Sequence, residues 1–120
     1  MGETKTYTGG CHCGEVRFEV TADISNVVTC NCSICQKRGS LWTFVPSERF
    51  ALRAGSDDLR DYQFGKKTIH HLFCPQCGVG AFSRGTPPGS SDEMIAVNVR
   101  CLDDLDIAAL KLTPFDGRSL

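Results

Sequence analysis

Seven of the eight cysteines fall into three tight groups: Cys11 and Cys13, then Cys30, Cys32 and Cys35, then Cys74 and Cys77. Thiolates at such short spacings converge on one ion, and soft sulfur donors in a tetrahedral shell select zinc. Four thiolates close that shell and make a structural site, whereas three leave one position for water or substrate. The tidiest partition of seven is therefore four and three. Cys11, Cys13, Cys74 and Cys77 form the closed set, clamping the early chain to its second half. Cys30, Cys32 and Cys35 take one face of a second ion. The expectation is two zinc ions per chain, one structural and one catalytic, with the second as the labile one.

Local sequence supports the turns these sites need. In Cys74-Pro75-Gln76-Cys77-Gly78, two intervening residues let both sulfurs face one ion, and the glycine tolerates the dihedrals of a tight turn. Cys11-His12-Cys13 is tighter and needs a bent backbone, which Gly9, Gly10 and Gly14 permit. Zinc on the triad would favour exchange of soft thiol ligands or polarise an oxygen as a Lewis acid. Spacing alone leaves the alternative that His12, His70, His71 or Cys101 completes a second structural zinc. A redox pair is disfavoured because no βαβ pattern surrounds the cluster.

Near the triad, Lys37 and Arg38 are candidates to bind the carboxylates of a small thiol, and Trp42 to wall a pocket. His70 and His71 would occupy opposite faces of one strand, so at most one faces the metal. Cys101, alone, reads as a small buried hydrophobe.

These side chains must be positioned by a small scaffold. The 120 residues fit one domain, 1–120, whose modest core gains from a metal staple. A net charge of −1, with both signs mixed along the chain, argues against nucleic acid and membrane as partners. No apolar leader follows Met1, so the expected location is the reducing cytoplasm, where thiols serve as ligands rather than disulfides. Val16, Phe18 and Val20 alternate with Arg17 and Glu19 as a half-buried strand does. Strands are expected over 41–45, 50–53, 59–64, 68–73, 81–83 and 94–101, with a surface loop over 85–92. Only 33–38 and 102–109 suggest short helical turns. The fold class is mainly β.

The segments Gly9-Gly10-Cys11-His12-Cys13-Gly14, Cys30-Asn31-Cys32-Ser33-Ile34-Cys35 leading to Gly39-Ser40, Phe73-Cys74-Pro75-Gln76-Cys77-Gly78 and Phe115-Asp116-Gly117-Arg118 resemble the glutathione-dependent formaldehyde-activating enzyme family, which includes centromere protein V. The resemblance covers about 7–118. It implies a zinc-stapled β-tent of packed antiparallel sheets, with structural zinc on Cys11, Cys13, Cys74 and Cys77 and catalytic zinc on Cys30, Cys32 and Cys35. It also implies a carbon–sulfur lyase of the S-(hydroxymethyl)glutathione synthase type, joining glutathione and formaldehyde reversibly. One departure is Cys-Asn-Cys where many members carry Cys-His-Cys. A shorter stretch, Gln36-Lys37-Arg38-Gly39, is another. The alternatives are a non-catalytic zinc and thiol-binding module that carries or sequesters glutathione adducts, and an assembly role like that of the centromere branch.

Overall fold

Period-two burial sets the faces of the strands in the computed structural model, which describes residues 4–24, 26–57, 59–65, 67, 69–86 and 91–119. Strand β2 (Arg17–Ala22) buries Phe18, Val20 and Ala22, and Val16 just before it continues the same row. It sits between β1 (Lys5–Gly10) and β5 (Phe50–Ala54) in a three-stranded antiparallel sheet. A second sheet has seven strands. Its order runs β10 (Lys111–Phe115), β3 (Asn26–Cys30), β4 (Leu41–Pro46), β9 (Met94–Asn98), β8 (Phe82–Gly85), β7 (Ile69–Phe73) and β6 (Arg60–Tyr62). Its pairs are antiparallel except β10 with β3, which run parallel. Helix is confined to α1 (Ser33–Arg38) and short 3-10 turns among the described residues. The mainly β class with packed antiparallel sheets is what the structure shows.

The two sheets meet over an aromatic cluster. Phe18 of β2 and Phe50 of β5 lie 5.2 Å apart between ring centroids, and Phe50 lies 4.6 Å from Phe82 of the large sheet. Phe18 meets Phe82 edge-on at 6.2 Å, an arrangement ring quadrupoles favour. Ile95, Val97 and Val99 extend this core, each fully buried. On β4, Leu41, Thr43 and Val45 face the same way, while Trp42 points to the opposite face and joins the triad instead.

Three expected elements are shorter than expected. The strand expected over 94–101 stops at Asn98, whose side-chain oxygen accepts the Arg100 N–H at 3.2 Å and starts a 3-10 turn. The strand expected over 59–64 is ordered as β6 for three residues, and 102–109 yields only the turn Ile107–Ala109, capped by Asp106. Residue 68 and residues 87–90 of the expected loop lie outside the described residues. Strands β1, β3 and β10 were not evident from residue pattern; β10 is exposed throughout and carries Pro114, so no burial period marks it.

The small sheet is also tied down at its other end. Gly9 bridges Leu102, and the Asp103 carboxylate accepts from the Thr8 hydroxyl at 2.8 Å and from the Arg17 guanidinium. Arg17 and Thr8 hold the Asp103 carboxyl below its ordinary value. Its charged form is therefore favoured on folding, so the contribution is present above 3.8, the ordinary value, and is lost as pH falls through the lower folded value. Asp103→Asn should therefore lower stability modestly at pH 7 and flatten the acid unfolding curve, so that variant and parent converge as the pH falls below the folded value. Phe82→Ala, by contrast, should lower stability at every pH by about 3–5 kcal/mol, measured by chemical denaturation.

Candidate metal centres

Two thiol clusters emerge from this scaffold. The Sγ atoms of Cys11, Cys13, Cys74 and Cys77 lie within 4.8 Å of one another, and so do those of Cys30, Cys32 and Cys35. Two turns of the same design build the first. Cys11 N–H donates to Val16 O and Cys74 N–H to Val79 O, both at 3.1 Å, so each turn closes five residues on. Gly14 (φ 88°) and Gly78 (φ 79°) supply the left-handed backbone that both need. Across the cluster the Cys11–Cys13 and Cys13–Cys74 sulfurs are 3.7 and 3.6 Å apart. An ion at about 2.3 Å from tetrahedrally placed sulfurs would separate them by about 3.8 Å, so this donor set fits zinc.

Crowding sets the acidity of these thiols. The Cys13 and Val79 amides hold Cys77 down at about 6. In the triad, burial pushes Cys35 up to about 12, against the Trp42 N–H that favours its thiolate. Cys32 lies below its ordinary value: burial opposes this, but the Cys35 amide and the neighbouring thiols outweigh it. Neighbouring thiolates resist a shared negative charge, and a divalent cation between them removes that resistance.

The triad is framed from three sides. Cys32 is the residue before α1, and Gln36 N–H donates to its carbonyl at 3.0 Å. Gly39 (φ 72°) ends the helix, its N–H donating to Cys35 O at 2.9 Å. From beneath, the buried Trp42 indole donates to Cys35 Sγ at 3.2 Å. From above, residues 115–119 form a clasp. Asn31 donates its backbone N–H to Phe115 O (3.3 Å) and its side-chain amide to Asp116 (3.0 Å), and its side-chain oxygen accepts the Arg118 N–H (2.9 Å). Arg118 also reaches the Gln36 side chain. Gly117 lies so close that a Cβ there would stand 2.5 Å from Cys30 Sγ.

The structure separates the candidate fourth ligands from the triad. Among the described residues, no histidine, aspartate, glutamate or further cysteine joins Cys30, Cys32 and Cys35 within that distance. His70 pairs with Asp61 at 2.6 Å, His71 is buried with its ring stacked on Phe64, and His12 is exposed. Cys101 packs against the core that includes Cys11 and Cys74, and burial, followed by the charges of Cys11 and Cys77, pushes its thiol up to about 11.

Lys37 and Arg38 line a cleft of about 640 Å³ along α1, together with Ser33, Tyr62, Phe64 and Phe73. The Arg38 guanidinium packs over Gly80, where a Cβ would fall 2.6 Å from Cζ. Sequence reasoning overlooked three groups here: the aromatic wall of this cleft, and Asn98 and Arg100. Asn98 accepts from Leu41 N–H (3.3 Å) and donates to Gly80 O (3.1 Å), and Arg100 donates to Gly39 O (3.1 Å). Together they join the end of α1 to the segment after the Cys74–Cys77 turn. A lone buried Asn at a strand end was the available signal.

A mainly β scaffold thus brings one group of four thiols and one of three each close enough to hold a metal ion. Residues 6–115 match the family described as glutathione-dependent formaldehyde-activating enzyme, and the chain belongs to that family. It is also similar to a solved Rhodobacter sphaeroides protein, with a TM-score of 0.76 and 28% identity over 88% of this chain and 99% of that one. Among the described residues no helix is long and apolar enough to cross a membrane.

Gly117 is outside the left-handed region, so Gly117→Ala acts by crowding, chiefly against Cys30 Sγ and then Cys32 Cβ at 3.3 Å. Metal content measured by elemental analysis under reducing conditions should fall from about two to about one per chain in this variant. The metal held by the four-cysteine cluster should be retained, and the thermal midpoint should fall by no more than the loss of one bound ion brings.

Proposed function

We propose that the protein is a zinc-dependent carbon–sulfur lyase that makes and breaks the adduct of glutathione, or a similar thiol, with formaldehyde or another small aldehyde. The observation that carries this reading is the triad: three thiols brought together with no fourth side-chain donor among the described residues, in a member of this family. Cys11, Cys13, Cys74 and Cys77 would hold the structural zinc. Zinc on Cys30, Cys32 and Cys35 would supply a Lewis acid with a position open to substrate.

The chain's own residues orient the reactants. Lys37 and Arg38 would take the carboxylates of the thiol, Arg38 with a two-pronged grip. Trp42 donates to Cys35 Sγ and so tempers the charge of that ligand, a positioning role. Asn31, Asp116 and Arg118 keep the 30–35 loop in one shape. In the forward direction the thiol sulfur bonds the aldehyde carbon, and the thiol proton ends on the former carbonyl oxygen. Positioning the two reactants supplies most of the gain. Residues 7–118 would act as one domain in the reducing cytoplasm, without nucleic acid or membrane.

A non-catalytic carrier of glutathione adducts is the second reading. It is favoured by the lack of a histidine or carboxylate at the triad, among the described residues, to move the proton. Exchange kinetics of thiol and aldehyde decide between the two. Catalysis predicts a rate above the spontaneous one that falls by at least about 100-fold in Cys32→Ala. Trp42→Phe should cost about 10-fold in metal affinity, as expected for an outer donor. A parent protein that binds glutathione saturably with no rate effect would establish the carrier and end the lyase reading.

A further inference from the structure

The cleft along α1 is much larger than the one-carbon group that formaldehyde adds to a thiol. Its surface is dominated by apolar side chains, with Tyr62, Phe64 and Phe73 on the sheet side. Tyr62 and Phe64 are stacked, 5.8 Å between centroids and 29° between planes, and Phe64 stacks in turn on His71 at 5.3 Å and 19°. Tyr62 and Phe64 nevertheless remain 51% and 40% exposed. A near-parallel ladder of rings, open to solvent at a concave surface, is built for a flat apolar ligand.

Charge marks the other wall. Lys37 and Arg38 line the cleft from α1, and neither has a carboxylate partner among the described residues. Ser33 and Ile34, which also line it, stand between Cys32 and Cys35 in the chain, so the cleft and the triad share one segment. Glutathione itself is polar along its whole length. Its carboxylates match the two cations, but nothing in it matches three aromatic rings.

We propose that the adduct handled here carries a broad aromatic S-substituent, seated against Tyr62, Phe64 and Phe73 while Lys37 and Arg38 hold the thiol's carboxylates. The aldehyde partner is then an aromatic one rather than formaldehyde. This rests on the glutathione reading above. An aromatic aldehyde reacts with the same atom balance: one carbon–sulfur bond forms, the thiol proton passes to the carbonyl oxygen, and no further reagent is needed.

Two stable thioethers test it by calorimetry on the metal-loaded full chain: S-benzylglutathione and S-methylglutathione. The expected result is tighter binding of the benzyl compound by about 10-fold or more, from burial of its ring. In Phe64→Ala the ratio between the two affinities should collapse towards about one. Tyr62→Ala, at a half-exposed position, should reduce the same ratio. Equal affinity of the parent for both ligands overturns the inference and leaves the glutathione reading standing. A ratio unchanged in both variants also overturns it. Binding of neither ligand overturns the glutathione reading and this inference with it.

Discussion

Thiols that share a site within 4.8 Å cannot all carry charge unless a cation lies among them. Most of the architecture follows from meeting that constraint twice in 120 residues. In the first site the Cys13 and Val79 amides hold the Cys77 thiol down, while burial and then the neighbouring thiols push Cys13 up. The backbone does its part beforehand: two turns with matched hydrogen bonds and left-handed glycines bring the four sulfurs near a tetrahedral edge length.

The sheets then divide the labour. One face of the large sheet buries Phe82, Ile95 and Val97 against the small sheet, through the ring cluster with Phe18 and Phe50. The other face is left for α1, so a single strand, β4, serves both jobs. Its odd positions fill the core, and Trp42 between them supports the triad. Asn98 links the ends of these layers with three hydrogen bonds from one amide side chain. Its oxygen accepts twice and its amide nitrogen donates once, which offsets the cost of burying it.

Much of the centre was legible because its spacing is local. Cys11 with Cys13, Cys74 with Cys77, and the three thiols of 30–35 each lie within a turn, so the three groups were legible, while joining the first to the last was only the tidiest partition. Period two at 16–20 and the single helical turn at 33–38 were legible for the same reason. The clasp was not. Its contacts join Asn31 to residues 115–118, and β10 is exposed at every position, leaving no pattern to read. Nor did the aromatic stretch around Tyr62 disclose that its rings face a helix thirty residues earlier. Long-range pairing of exposed side chains has no signature in composition or period.

The clasp also gives the two clusters different histories during synthesis. All ligands of the four-cysteine cluster exist once Cys77 has been made, but Asp116 follows 39 residues later. In that interval the thiols of the triad, complete since Cys35, stand without the cover that Gly117 and Arg118 bring. Until residues 115–118 have been made, the triad lacks both the hydrogen bonds to Asn31 and the close backbone at Gly117 that complete its cover.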